Sequence, residues 1–473
     1  MKRATQLFVV AALAALLSPA VASSAPRLYV GFHDDPNFRY EERRTDMLDQ
    51  VKSTNATIVR TLVTWAIVAP TRPANAANPF DPAYRFNDLD ELVRNAQSRD
   101  LEVLITIWGT PKWANGGKTP NYAPTRMADL TAFSRAVASR YSGRFAGFPF
   151  VRFYSIWNES NLQLFLAPQF DAKGKSVAPR TYAKLAAASY AGIKAGNPRA
   201  KVAIGSTSSA GRDKPLAGKS ATHSPGRFAQ LVAAANPRLK FDAWAQHPYP
   251  VPANQKPTQK VKWPNVTFSS FARFEKSLDT WFKRKNVRIW VTEYGHEVKQ
   301  DGEPNGVTRA QQAAYAAQAL ALAKKDPRTD MFIWFVFRDH KTSLWQSGLR
   351  TASGAAKPSL ARFTAAARGL DARNAVVNVK GGAANPLVTI PLRQYAAGTM
   401  PGETVGFTVT VRSQGQVVLT VQPSAPFRSD ATAAFRLTGL TPVKGRVYTV
   451  QVDANVFSGG GVVLTRTLTL VAT

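Results

Sequence analysis

The chain has 473 residues, 61 Lys and Arg against 30 Asp and Glu, a formal charge of +31 and no cysteine. This excludes disulfides, thiolate metal sites and a cysteine nucleophile, and the length points to two domains. The positive balance predicts attraction to a polyanion, whether acidic polysaccharide, anionic wall polymer, membrane surface or nucleic acid, or else reflects a solvated surface rich in Lys and Arg. No nucleic-acid recognition motif is present, so no nucleic-acid partner is expected.

The first residues, MKRATQLFVVAALAALLSPAVASSAP, place two cations before an apolar run from Leu7 to Leu17, then Ala20 and Ala22 in an Ala-x-Ala pattern. That layout predicts a cleaved secretory signal over residues 1–22 and an exported mature chain. The apolar run is too short to span a bilayer, and no later segment approaches that length, so no membrane span is expected.

Strand-like and helix-like runs then alternate. The first strand is predicted at 27–35, with a helix from Tyr40 to Ser53; a second strand starts at Ala56, with a helix from Asn87 to Ser98. The third starts at Leu101 and is followed by a helix from Thr125 to Tyr141 whose apolar spacing is close to 3.6. The fourth, VRFYSIWNESN at 151–161, leads to a helix that stops at Gly196-Asn197-Pro198. Strands five to eight start at Lys201, Phe241, Val287 and Met331, with helices near 225–235, 268–285, 308–325 and 358–369. Eight strands, each apolar on both faces and each followed by a helix, predict an α/β chain folded as a (β/α)₈ TIM barrel over residues 26–370.

Beyond Leu370 the runs are short and alternating, as in ETVGFTVTVR, RVYTVQVDA and VVLTRTLTLV, separated by Gly, Pro, Asn and Asp. They predict a small all-β sandwich over 371–473. This part holds none of the ten tryptophans and only nine of the Lys and Arg, so the charge belongs mostly to the barrel. A packing or spacer role suits it better than gripping sugar rings.

Reactive groups in parallel α/β proteins gather beyond the carboxyl ends of the strands. Strand four ends in Asn158 and Glu159, and strand seven, VRIWVTEYGH, delivers Glu293. Two carboxylates at a barrel mouth suit glycosidic cleavage: one protonates the departing oxygen while the other attacks or activates water. Strict period-two alternation puts Glu293 on the face of Val287, Ile289 and Val291. Five histidines without paired-ligand spacing give no expectation of a metal or cofactor.

Trp-Asn-Glu at 157–159 and Thr-Glu-Tyr-Gly at 292–295 resemble the signature of clan A (β/α)₈ glycoside hydrolases. Within the clan, SIWNESNLQLFLAP and the segment TYAKLAAASYAGIKAGNPRAKVAIG look closest to family 39 and its relatives. The resemblance implies retaining double displacement, with Glu159 as acid/base and Glu293 as nucleophile. It further implies that Arg60 supports the nucleophile, Asn158 contacts the sugar 2-hydroxyl, His247 and Tyr249 line the site, and Trp334 forms its aromatic floor. Trp65, Trp108 and Trp113, at or beyond strands two and three, are candidates for stacking on a sugar, and His33 and Asp34 for binding it. The expected protein is an exported glycosidase, a monomer acting on a polysaccharide or oligosaccharide. A transglycosylase, or a noncatalytic polysaccharide- or wall-binding barrel, is the alternative.

Overall fold

The computed structural model describes residues 28–341, 345–374, 376–392, 402–428, 431–455 and 462–473; the expected leader lies outside them. Eight strands form a closed barrel: β1 Tyr29–His33, β2 Ile58–Thr64, β3 Glu102–Trp108, β4 Phe153–Ile156, β5 Lys201–Thr207, β6 Ala243–Gln246, β7 Arg288–Tyr294 and β8 Thr329–Phe335. They run parallel in chain order, and pairs from Tyr29↔Met331 to His33↔Phe335 close the ring. Aliphatic runs such as IVRTLVT and EVLITIW suit this, because a barrel strand is covered on both faces.

The major helices span Arg44–Lys52, Asn87–Ser98, Met127–Arg140, Ala178–Gly196, Pro225–Ala235, Phe271–Trp281, Arg309–Lys325 and Pro358–Ala367. Proline in the first turn starts three of them, where its missing N–H costs nothing. A capping box of Thr308 and Gln311 starts another. The first helix begins at Arg44, not Tyr40, because Pro36–Tyr40 forms a separate wide turn.

Inside the barrel, Ile58, Leu104, Phe153, Ala203, Ala243, Ala245, Trp290, Met331 and Ile333 form one cluster, with Tyr29 against it. Phe153 meets Tyr29 and Trp290 edge-on at 4.8 and 5.4 Å, and these rings fill the end where the strands begin. The opposite, carboxyl end is left for polar groups.

The C-terminal strands are β9 Val376–Val379, β10 Leu387–Pro391, β11 Thr404–Ser413, β12 Gln416–Val421, β13 Ser424–Pro426, β14 Thr432–Arg436, β15 Val447–Asn455 and β16 Val462–Ala472. A six-stranded sheet and the β10–β14 pair share one core, in which Phe407 stacks on Phe435 at 4.9 Å. The all-β reading of this part is thus borne out. These sheets rest on the start of β3: Asp100 accepts from Arg373 and Arg466, whose side chains are almost wholly buried, and Phe150 joins their core.

Candidate active site

At the carboxyl end of the strands the polar groups are organised by Arg60 on β2. Its side chain is fully buried, so its guanidinium needs a partner for every N–H. Nε donates to Thr106 on β3 at 3.0 Å, itself 2.6 Å from Ser155 on β4. One terminal nitrogen donates to Glu293 Oε1 at 2.7 Å and to the Thr292 carbonyl at 3.1 Å, and lies 3.1 Å from His33 Nδ1. The other donates to Asn158 Oδ1 at 2.8 Å. One side chain thereby ties the ends of β1, β2, β3, β4 and β7 together.

His247, just past β6, sits between the two glutamates. Its Nδ1 is 3.0 Å from Glu159 Oε1 and 3.2 Å from Glu293 Oε2, and its Nε2 is 3.0 Å from the Thr292 hydroxyl. Ionised carboxylates only accept, so Nδ1 carries a proton toward both of them. Burial works to raise the Glu293 pKa, but His247, Arg60 and His33 outweigh it and hold the carboxyl well below the usual range. For His33, burial and Arg60 work to lower the pKa, yet Asp35 at 3.3 Å and Glu293 leave it raised. Single oxygens of Glu159 and Glu293 and a nitrogen of His247 lie within 4.8 Å of one another. Such a donor set is metal-sized, but Arg60 already occupies Glu293 Oε1, and a divalent cation would meet that positive charge at short range.

Local backbone delivers both glutamates. Beyond β4, Trp157 and Glu159 take φ of 67° and 33°, a region costly for residues with a Cβ. The Trp157 indole, donating to the Phe165 carbonyl at 2.7 Å, helps hold that turn. Val287, just before β7, and Ile289 and Val291 on it face the helices, in the outer core, and alternation would send Glu293 with them. A register irregularity sets Val291 and Tyr294 opposite Phe332 and Trp334. Through this bulge both Thr292 and Glu293 reach the interior. The period-two expectation for Glu293 is therefore corrected.

Arg60, Asn158, Glu159, His247, Glu293 and His33 are brought together as expected from the sequence. Tyr249 stands beside them, stacked on Tyr294 at 5.9 Å and edge-on to Trp345 at 5.5 Å; burial, with Glu293 and Glu159 close by, pushes its phenol well up. Trp334 is not the floor. Met331 and Ile333 point inward, so Trp334 points out to the helices, wholly buried against Tyr294 and Phe363. Its strand neighbour Phe335 lies 5.1 Å from His33, and Trp345 packs on Phe335 at 5.9 Å. The sequence reading missed both rings, although the parity of β8 was the available signal for Phe335.

Trp65 is also corrected: it is buried in the core, stacked on Phe133 at 5.2 Å, and offers no face to a ligand. Trp108, which ends β3, and Trp113 beyond it are half-buried, and their contacts are with Phe165, Trp65 and Arg72 rather than with the glutamates. Asp34 turns away, accepting from the Phe337 and Arg338 amides and so pinning the segment after β8.

A closed eightfold barrel with this cluster at the ends of β4 and β7 has the architecture of clan A glycoside hydrolases. Residues 31–336 match the family described as cellulase (glycosyl hydrolase family 5), and the chain belongs to that family. Solved structures share its fold, two of them as follows. A family 39 glycoside hydrolase from the gut symbiont Bacteroides cellulosilyticus WH2 is 17% identical, with a TM-score of 0.52 over 87% of this chain and 81% of that one. The GH5_18 protein of Streptomyces cattleya, in complex with GlcNAc, is 16% identical, with a TM-score of 0.53 over 76% and 86%. A comparison with curated proteins found no match.

Proposed function

We propose that the chain is an exported retaining glycoside hydrolase that cleaves a polysaccharide or oligosaccharide by double displacement. The observation that carries this reading is the spacing of the two carboxylates, with oxygens within 4.8 Å. Retaining pairs stand about 5–5.5 Å apart, and inverting pairs about 6.5–9.5 Å, to admit a water.

In the first step a Glu293 oxygen attacks the anomeric carbon while Glu159 gives its proton to the departing glycosidic oxygen, and the C–O bond breaks. In the second, Glu159 takes a proton from water, whose oxygen attacks the same carbon and releases Glu293 from its ester. Arg60 and His33 hold the nucleophile ionised and aimed, and His247 bridges both carboxyls. Phe335, Trp345 and Tyr249 offer apolar surface beside them for a sugar face.

Glu293→Ala is expected to lose turnover on an aryl glycoside and to regain it with azide, giving a glycosyl azide of inverted configuration. Glu159→Gln should keep turnover mainly on substrates with activated leaving groups. Near-normal activity in the Glu293 variant, or equal losses on all substrates in the Glu159 variant, would sink these roles. Export rests on the leader-like residues 1–22. N-terminal sequencing of the chain recovered from culture medium should begin after Ala22, and an intact Met1 there would contradict it.

A further inference from the structure

The charge of this barrel is not spread evenly over its open end. The segments after β3, β4, β5 and β6 (109–126, 157–177, 208–224 and 247–267) hold eleven Lys and Arg, against two aspartates besides Glu159. The segments after β7, β8, β1 and β2 (295–308, 336–357, 34–43 and 65–86) hold nine Lys and Arg against nine Asp and Glu. Evenly distributed surface charge would not divide so sharply between two halves of one rim.

The cations of the first half are available to a ligand. Lys118, Lys175, Arg212, Lys219, Lys256 and Lys260 are exposed, and among the described residues none has a carboxylate partner within ion-pairing distance. The two aspartates are engaged locally: Asp171 accepts from the amides of Lys173 and Lys175, and Asp213 from the amide and hydroxyl of Ser224. Beside these segments Lys175, Arg180 and Arg227 border a cavity of about 410 Å³ with Phe170 and His223 in its wall. The 247–267 segment is joined to the mouth by His296, whose Nε2 lies 2.9 Å from the Gln255 carbonyl.

Glu159 stands within this cationic half, and on the reading of Glu159 as the acid, the part of the substrate that departs lies on its side of the cleft. From this placement we infer that the leaving-group side of the cleft takes an anionic glycan, its carboxylate, sulfate or phosphate groups facing the segments after β3 to β6. Attraction between exposed charges concentrates such a substrate at the mouth and weakens as salt screens it.

The test uses the full mature chain carrying Glu293→Gln, so that ligand is not consumed, and a matched set of probes: cellohexaose, its C6-oxidised carboxylate form and its C6-sulfated form. At low ionic strength the carboxylated or the sulfated probe should bind at least about tenfold more tightly than cellohexaose, and the preference should shrink at 0.5 M salt. Which anion gains more separates a uronate from a sulfate or phosphate source. Adding Lys256→Glu and Lys260→Glu should abolish the preference, whereas Lys324→Glu and Lys325→Glu, at the far end of the helix before β8, should leave it. Equal or absent binding of all three probes overturns the inference, as does equal loss in both charge-reversed variants. Tighter binding of a 20-nucleotide single strand than of any glycan probe also overturns it. If the binding pattern holds while the parent chain cleaves no glycoside, the hydrolase reading fails and with it the leaving-group assignment, and what stands is anionic-glycan binding by the segments after β3 to β6.

Discussion

Arg60 shows how one residue sets the chemistry of its neighbours. With both Arg60 and His247 against it, Glu293 takes up a proton only at unusually low pH. Its ionised form is thus the resident one across the ordinary range. The acid limb of kcat/KM, which reports the free enzyme, should accordingly lie below the usual glutamate value of about 4.3. The sign follows directly: removing a neighbouring positive charge weakens the ionised form and raises the pKa. His247→Asn, which keeps a donor but no charge, should move that limb to higher pH, and a limb that stays in place would show that His247 does not act through Glu293. Arg60, within β2, and His247 came from the resemblance to clan A, whereas Glu293 was legible in the sequence because it ends an apolar strand. Glu293 was found for that reason, although its face was misassigned: nothing in VTEY distinguishes a bulge from regular alternation.

At the level of elements, the segment after β8 supplies Trp345 and is held by buried charge. The Lys357 ammonium, with its side chain fully buried, pairs with Asp339 at 2.5 Å and Asp301 at 2.9 Å. Gln312, from the helix before β8, donates to carbonyls at 296, 347 and 348. Removing one partner of a buried ion pair costs about 3–5 kcal/mol, because the partner left behind loses its counter-charge; here that partner is Asp339, since Asp301 keeps Arg309. Lys357→Met should therefore lower stability by about that amount in urea unfolding and raise KM more than it lowers kcat, since it loosens Trp345 and not the glutamates. Stability within about 0.5 kcal/mol of the parent, the range of ordinary surface substitutions, would refute the clamp. The sequence could not show this element. Its aromatic ring comes from an irregular stretch without periodicity, and the regular strand beside it offered Trp334 as the more conspicuous tryptophan. Trp65 misled in the same way, since a large ring near a strand end serves a core as readily as a cleft. Among the C-terminal strands β9 was missed, because a four-residue run that pairs in parallel with β16 carries no local signal.

Across the whole molecule, the barrel and the C-terminal sheets are joined through Asp100. Arg373 and Arg466 both depend on it. Asp100→Ala leaves two buried guanidinium groups without their shared carboxylate, and calorimetry should show one transition splitting into two, with the C-terminal sheets melting first. Because Asp100 precedes β3, this seat is at the end of the barrel away from Glu159 and Glu293. Activity below the first transition should stay within about twofold of the parent, as expected for a site with no shared partners, and a single unsplit transition would count against the coupling. The same geometry gives the molecule a front and a back. A bead, a wall or a carrier joined through the C-terminal sheets would take up the closed end and leave the mouth facing outward. The segments that ring the mouth are therefore free to be exchanged for other specificities without disturbing the attachment.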